Sequence, residues 1–258
     1  MTDFAPRLAL ASLSGESDAD WAQAGGEHAD AAVLGGIALD SPSRAAARKL
    51  VARGRSEFLP REPAAFVDRQ LASLEDAPIR AGINVRSATP DPLEEVARIC
   101  EDRGAFLEIN AHCRQDELRA VGCGESLLAD TPRLAEYVRT ATEAADVPVG
   151  VKVRTEVPGV DLPALAGVLE DAGASYLHVD AMDSEGLVAD VRAACGLYLI
   201  ANNGVRGREA VAEYRSYGAD AVSVGRPSDD PTVLARVREA VDREFDPEGI
   251  EPPAEPEP

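Results

Sequence analysis

The chain is 258 residues long and carries 46 acidic against 26 basic side chains, a formal net charge of −20 at pH 7. That length suffices for one large domain with a substantial buried core, and the acid is spread over the whole chain, as on a solvated surface or in the high-salt cytosol of a halophile. Such a charge argues against a broad basic surface for nucleic acid, although high salt would mask much of the repulsion, so an RNA substrate is disfavoured but left open.

The N-terminus, MTDFAPRLALASLSG, has no basic region followed by a long apolar one, and no later apolar run approaches the roughly 20 residues that span a bilayer. A soluble, unprocessed, cytoplasmic protein is expected. From there, short apolar β-type runs alternate with helical patterns. The strands fall at 7–12, 29–34, 79–85, 105–110, 147–153, 175–179, 197–201 and 219–224. Helical stretches, with apolar residues recurring at three and four positions, run over 93–103, 133–145, 163–172, 186–194, 208–217 and 231–245. Several strands are almost wholly apolar, as in a parallel sheet covered on both faces. Helices open at polar or proline turns such as Asp130-Thr131-Pro132 and close at small ones: Gly104-Ala105, Gly173-Ala174, Gly218-Ala219 and, more loosely, Gly25-Gly26. Residues 1–245 form one domain, in which 40–74 is a helical insertion between strands two and three, either a helix pair or a lid. Residues 246–258, where Glu and Pro alternate, cannot bury a core and are expected to be disordered. Eight β/α units predict an α/β fold, a closed (β/α)8 TIM barrel. A doubly wound open sheet is the runner-up, but it would carry a Gly-rich dinucleotide turn after the first strand, and none is present.

In a β/α barrel the ligand sits at the C-terminal ends of the strands. Strand one ends in Ser12-Leu13-Ser14-Gly15, strand three in Asn84-Val85-Arg86, strand four in Asn110-Ala111-His112-Cys113 and strand five in Lys152-Val153-Arg154. Strand six ends in His178-Val179-Asp180, strand seven in Asn202-Asn203-Gly204 and strand eight in Gly225-Arg226. Glycines after strands seven and eight let backbone N–H groups approach a phosphate, with Arg226 adding a charge-assisted contact; the plainer reading is that they only make tight turns. Lys152 lies in an otherwise apolar strand, so its ammonium either points into the barrel, where it needs an anion or an electron-rich ligand, or snorkels toward the helices. Cys100 and Cys195 sit in helical apolar patterns and read as small hydrophobes. Cys113 differs: it follows a strand end amid Asn, His and Arg, where a thiol can act as acid or nucleophile. His112 beside it either tunes that thiol or points to solvent, and His28 reads as surface. Three histidines and four scattered cysteines show no metal-ligand spacing and no CxxC pair, which fits a reducing cytosol and no metal.

Taken in order, these residues resemble the flavin-dependent tRNA-dihydrouridine synthases, and more closely their shorter archaeal relatives, from about Leu8 to Val241. Residues 10–18, LASLSGESD, stand where that family has an LAPMAGVTD-like opening, and Asn84 takes the place of a flavin-contacting glutamine. Asn110-Ala111-His112-Cys113 stands for N-x-G-C-P, Val151-Lys152-Val153-Arg154-Thr155 for LKIRTG, and His178 for the histidine of H-G-R-T. Ala201-Asn202-Asn203-Gly204 corresponds to ANGDI, and Gly218 through Gly225-Arg226 to GAD…IGR.

The resemblance implies a barrel holding FMN against Ser12, Leu13, Ser14, Asn84, Lys152 and His178, with the phosphate on Asn203, Gly204, Gly225 and Arg226. NADPH or NADH would reduce the flavin, which would pass hydride to C6 of a flipped-out uridine in tRNA. Cys113 would protonate C5, and Asn110 and Lys152 would hold the uracil. The family's Gly and Pro beside the cysteine are His112 and Arg114 here, the arginine of H-G-R-T is absent, and the helical tRNA-gripping domain of full-length synthases does not follow the eighth helix. A dihydroorotate-dehydrogenase-like enzyme acting on a small pyrimidine is the alternative, and a flavin-less barrel serving as a binding protein is a second.

Overall fold

The computed structural model describes residues 4–245, a closed barrel of eight parallel strands in sequential order. The strands are β1 (Leu8–Leu10), β2 (Ala31–Ala38), β3 (Arg80–Arg86), β4 (Phe106–Asn110), β5 (Val149–Arg154), β6 (Tyr176–Asp180), β7 (Tyr198–Asn202) and β8 (Ala221–Val224). β1 closes the ring on β8 through Leu8↔Val222, Ala9↔Ser223 and Leu10↔Val224. All eight strands lie where the apolar runs put them, with shifted ends. β1 is shorter than expected, and β2 runs on to Ala38, past the expected end at Leu34.

Around the barrel lie α1 (Ala19–Gly25), α2 (Ser41–Ala52), α3 (Pro63–Ala72), α4 (Pro92–Asp102), α5 (Asp116–Arg119), α6 (Glu125–Leu128), α7 (Thr131–Ala144), α8 (Leu162–Asp171), α9 (Leu187–Ala194), α10 (Arg208–Ser216) and α11 (Pro231–Phe245). The 40–74 insertion is thus a helix pair, α2 and α3, joined by residues 53–62. Three elements lie outside the expected helices: α1 and the single turns α5 and α6, all too short to show a period in sequence. Aspartates start several helices by accepting a backbone N–H two or three residues on: Asp40 from Ser43, Asp130 from Arg133 and Asp161 from Ala164. Three of the four expected glycine stops take the left-handed conformation, Gly104, Gly173 and Gly218. The fourth does not: Gly26 is right-handed, with φ −65°. The expected disordered tail lies outside the described residues.

Alternation along each strand divides the core in two. Leu107 and Ile109, Val149, Val151 and Val153, and Leu177 and Val179 face outward into the layer between strands and helices. Inside the barrel, the lower end is filled by Phe106, Tyr176, Ile200, Ala9, Ala31, Val33 and Ala221, with Phe4 and Tyr198 packed beneath. Phe4 stacks on Tyr176 at 4.5 Å between ring centroids and meets Phe106 edge-on at 5.1 Å. Glycines leave room for these rings. A Cβ at Gly82 would lie 2.2 Å from Phe106, and one at Gly150 the same distance from the Tyr176 ring.

Two positions further along each strand the inward residue turns polar. Phe106 is followed by Glu108 and Asn110, Tyr176 by His178 and Asp180, Gly150 by Lys152 and Arg154, and Gly82 by Asn84 and Arg86. The barrel is therefore apolar at its lower end and charged at its upper one.

Candidate active site

The upper end opens into a cavity of about 900 Å³, within the range that takes cofactors and drug-sized ligands. Nine of the twelve residues to which the family resemblance assigned a role line it: Ser12, Leu13, Ser14, Cys113, Lys152, Asn203, Gly204, Gly225 and Arg226. The other three, Asn84, Asn110 and His178, are buried one layer below and do not line it. On the β7–β8 side, a Cβ at Gly204 or Gly225 would meet nothing within 4 Å, so the backbone there is open to a close ligand. Asn203 beside them is held at φ 99° by Tyr214, whose hydroxyl donates to its carbonyl at 3.0 Å. A non-glycine residue in that region carries backbone strain, which concentrates at functional loops.

Six cationic side chains line the cavity, Arg55, Arg114, Lys152, Arg154, Arg206 and Arg226, against the carboxylates Glu16 and Asp180. Arg154 pairs with Glu125 of α6 at 3.2 Å. Among the described residues the other five form no ion pair. In a chain with a large excess of acid this makes the cavity mouth a concentrated positive spot. Such a spot selects an anionic ligand.

Lys152 is 2 % exposed and points into the cavity, not toward the helices. Its neighbour in the floor is Glu108, a residue passed over in the sequence although it is as isolated in FLEIN as Lys152 is in VGVKVR. Glu108 and His178 are both fully buried. Glu108 Oε2 lies 2.7 Å from His178 Nδ1, and its Oε1 accepts from Asn84 Nδ2 at 2.7 Å. Burial works to raise the Glu108 carboxyl, but His178, Lys152 and Asn84 override it and hold it below the ordinary value. Burial also lowers His178, by more than Glu108 raises it. The carboxylate is ionised and the imidazole neutral at pH 7.

Cys113 is 6 % exposed and lines the cavity from the β4 side. Its loop is fastened from beneath by Asn110, whose Oδ1 accepts the backbone N–H groups of His112 at 3.3 Å and Cys113 at 3.2 Å. Its carbonyl accepts from Glu125 N at 2.9 Å. Gly124 must be glycine, for a Cβ there would lie 2.0 Å from that carbonyl oxygen. Against the thiol sits Arg86, which is buried, paired with Glu57 at 2.5 Å and hydrogen-bonded to Ser14 Oγ. Burial alone would lower the Arg86 guanidinium, but Cys113 and Glu57 raise it above its ordinary value. Glu57 comes from the linker of the helix pair, so the insertion anchors the cavity rim; no local pattern could reveal a partner 29 residues away. His112 turns toward Asp180, with Nε2 3.5 Å from Oδ2. Burial, together with Lys152, His178, Arg86 and Arg154, holds it well below its ordinary pKa, so it is neutral.

A model of the dihydrouridine synthase family matches residues 39–251. Among curated proteins the chain is 26 % identical over 232 residues to an uncharacterized protein of Methanocaldococcus jannaschii, covering 85 % of this chain and 88 % of that one. It is 27 % identical over 157 residues to tRNA-dihydrouridine synthase B of Xanthomonas campestris, 56 % of this chain and 47 % of the synthase. The chain thus spans about half the length of the synthases it matches. A match to the catalytic subunit of dihydroorotate dehydrogenase B of Methanothermobacter thermautotrophicus, 27 % identical over 133 residues, covers 52 % of this chain and 42 % of that one.

Proposed function

Because the chain belongs to the dihydrouridine synthase family, whose members are flavin-dependent oxidoreductases, we propose that it reduces the uracil C5–C6 double bond of uridine in tRNA, with FMN as its cofactor and NADPH or NADH as electron donor. The observation that carries this reading is a cation-lined cavity with a buried ammonium at its floor and a thiol at its wall. The residues present fit FMN. Lys152 is balanced in the floor by Glu108 without a direct ion pair among the described residues, which leaves its head toward the cavity for an electron-rich ring, and the open glycines of the β7–β8 rim leave space for a phosphate.

In this reading Asn203, Gly204, Gly225 and Arg226, with Arg206 beside them, bind the phosphate, and Ser12, Leu13 and Ser14 flank the ring. Lys152 would hold the flavin from the cavity floor through its charge. Bound flavin supplies hydride to C6 of the uracil. Cys113 Sγ gives its proton to C5, and the negative charge left on sulfur lies against the Arg86 guanidinium. Asn110 has its Oδ1 taken up by the cysteine loop and its Nδ2 by Asn84. Its part in orienting substrate is therefore to hold the Cys113 loop in place from below, and Asn84 and His178 act toward the flavin in the same indirect way.

Two measurements test the proposal. The purified protein should be yellow or take up FMN; a colourless protein that cannot be reconstituted would favour the flavin-less binding barrel and defeat the reading. Deleting the gene should remove dihydrouridine from at least one position of cellular tRNA. Unchanged dihydrouridine at every position would instead favour the second reading, a small anionic pyrimidine as substrate, which the dihydroorotate dehydrogenase match supports.

A further inference from the structure

We propose that Glu108 is the positioning residue of this site, a single buried carboxylate on which two chains of hydrogen bonds converge, one fixing the Cys113 loop and the other fixing Asn202 at the β7 rim. The inference deepens the reductase reading and rests on it only for what the two walls do to a substrate. It is carried by the direction of each hydrogen bond, which follows from the groups at the ends.

On the β4 side the chain of bonds ends at two backbone N–H groups, of His112 and Cys113, which can only donate. Asn110 must therefore present Oδ1 to them, which turns its Nδ2 to Asn84 Oδ1 at 2.8 Å. Asn84 Nδ2 is then left to donate to Glu108 Oε1. Every amide in this arm is oriented, and the arm terminates on an acceptor. On the opposite side Asn202 Nδ2 donates to Ser223 Oγ at 2.8 Å and to the Ser223 carbonyl at 3.1 Å. Ser223 Oγ also lies 2.7 Å from His178 Nε2. The serine hydrogen has one acceptor available there among the described residues, His178 Nε2. That nitrogen must then be bare, and the ring hydrogen sits on Nδ1, donating to Glu108 Oε2.

Both arms thus run donor to acceptor toward one carboxylate, with no two donors and no two lone pairs set against each other. A protonated Glu108, or any neutral acid at that position, would have to donate to one arm and reverse it. The Asn arm cannot reverse, because its far end is backbone; the His arm can. Lys152, beside Glu108 in the floor, supplies the opposite charge that makes a buried carboxylate tolerable.

The test is the tautomer of His178, read by nitrogen-15 NMR on the full chain, where a ring nitrogen bearing hydrogen resonates far from a bare one. With only three histidines in the sequence, His28→Gln and His112→Gln assign the signals. The wild-type protein should show His178 as the Nδ1–H form near neutral pH. In Glu108→Gln the amide oxygen must still accept from Asn84, so its NH2 faces His178 Nδ1, and the ring should invert to the Nε2–H form. Asn84→Leu cuts the other arm: it should leave the tautomer unchanged while the amide hydrogens of His112 and Cys113 exchange about tenfold faster. An Nε2–H or doubly protonated ring in the wild type would overturn the proposal, and so would Nδ1–H retained in Glu108→Gln. If Glu108→Gln does not fold, the wild-type tautomer and Asn84→Leu decide the matter alone. None of these readouts needs flavin or RNA, so a protein that passes them yet leaves tRNA unmodified would retire the substrate reading and keep the hub.

Discussion

The two ends of the barrel are built from the same strands and obey opposite rules. At the lower end, inward residues are aromatic rings and glycines that interlock, Phe106 and Tyr176 filling the space that Gly82 and Gly150 vacate. Two residues further along the same strands, inward positions are Asn84, Glu108, Lys152 and His178, every one buried and most of them joined by hydrogen bonds. The lower end gains stability from burial alone. The upper end accepts the cost of buried charge and spends it on orientation. One fold can do both because depth in the barrel is set by residue number along the strand, and the closed apolar plug keeps the charged layers anchored.

If this division is right, substitutions at the two ends should separate activity from stability. Cys113→Ala should lower turnover by about 10²- to 10⁴-fold, the range for a general acid, while reduction of bound flavin by the nicotinamide donor stays nearly intact; loss of both half-reactions in a stopped-flow experiment would contradict the assignment. Phe106→Ala should do the reverse, costing about 3–5 kcal/mol in a denaturant titration with little change in the affinity of the folded protein for FMN. A marked fall in that affinity would show that plug and cavity are coupled.

Acid should act on the upper end first. His112 and His178 are held below the ordinary histidine value of 6.5, so below that pH the unfolded chain binds protons the folded one refuses, and stability falls. Below about 4.5 Glu108, also depressed, adds to the loss. Unfolding midpoints measured from pH 8 to pH 4 should hold at first and then decline as the pH falls through about 6.5, and His112→Gln should flatten the upper part of the decline. A midpoint independent of pH between 8 and 5 would rule out buried neutral histidines. A smaller effect is expected at the rim, where Arg226→Ala should weaken FMN about tenfold and leave the melting temperature unchanged. At the lower end of the barrel, in the connection from α7 to β5, Asp146→Asn should move neither quantity.

The contrast between the ends also explains what could be read from the sequence. Strand positions were legible because the outward faces of β4, β5 and β6 are unbroken in Leu, Ile and Val, and helix ends because Asp130 and Gly173 carry their own conformational preferences. The rim was legible wherever a reactive type followed an apolar run, as with Cys113 and Lys152. Glu108 is equally isolated in its strand but lies mid-strand, between Leu107 and Ile109, where the sequence carries no sign that it faces the floor of a cavity. Ser223 gives no signal at all, since serine is unremarkable in a strand until a histidine is found 2.7 Å away. The Arg86–Glu57 pair depends on how the linker of the helix pair folds back over β3, which no local pattern encodes.

One feature of the cavity has a kinetic side. A protein this acidic repels a polyanion from nearly every direction, and the arginines Arg55, Arg114, Arg206 and Arg226 lining the cavity attract it only at close range. Added salt shortens the reach of the repulsion, with a screening length of about 10 Å at 0.1 M, before it competes with contacts inside the cavity. Capture of tRNA should therefore speed up as salt is first added and slow only later, whereas most nucleic-acid-binding proteins lose affinity from the start. The acidic shell would act as a toll on approach whose size the ionic medium sets, leaving the mouth of the barrel as the one way in.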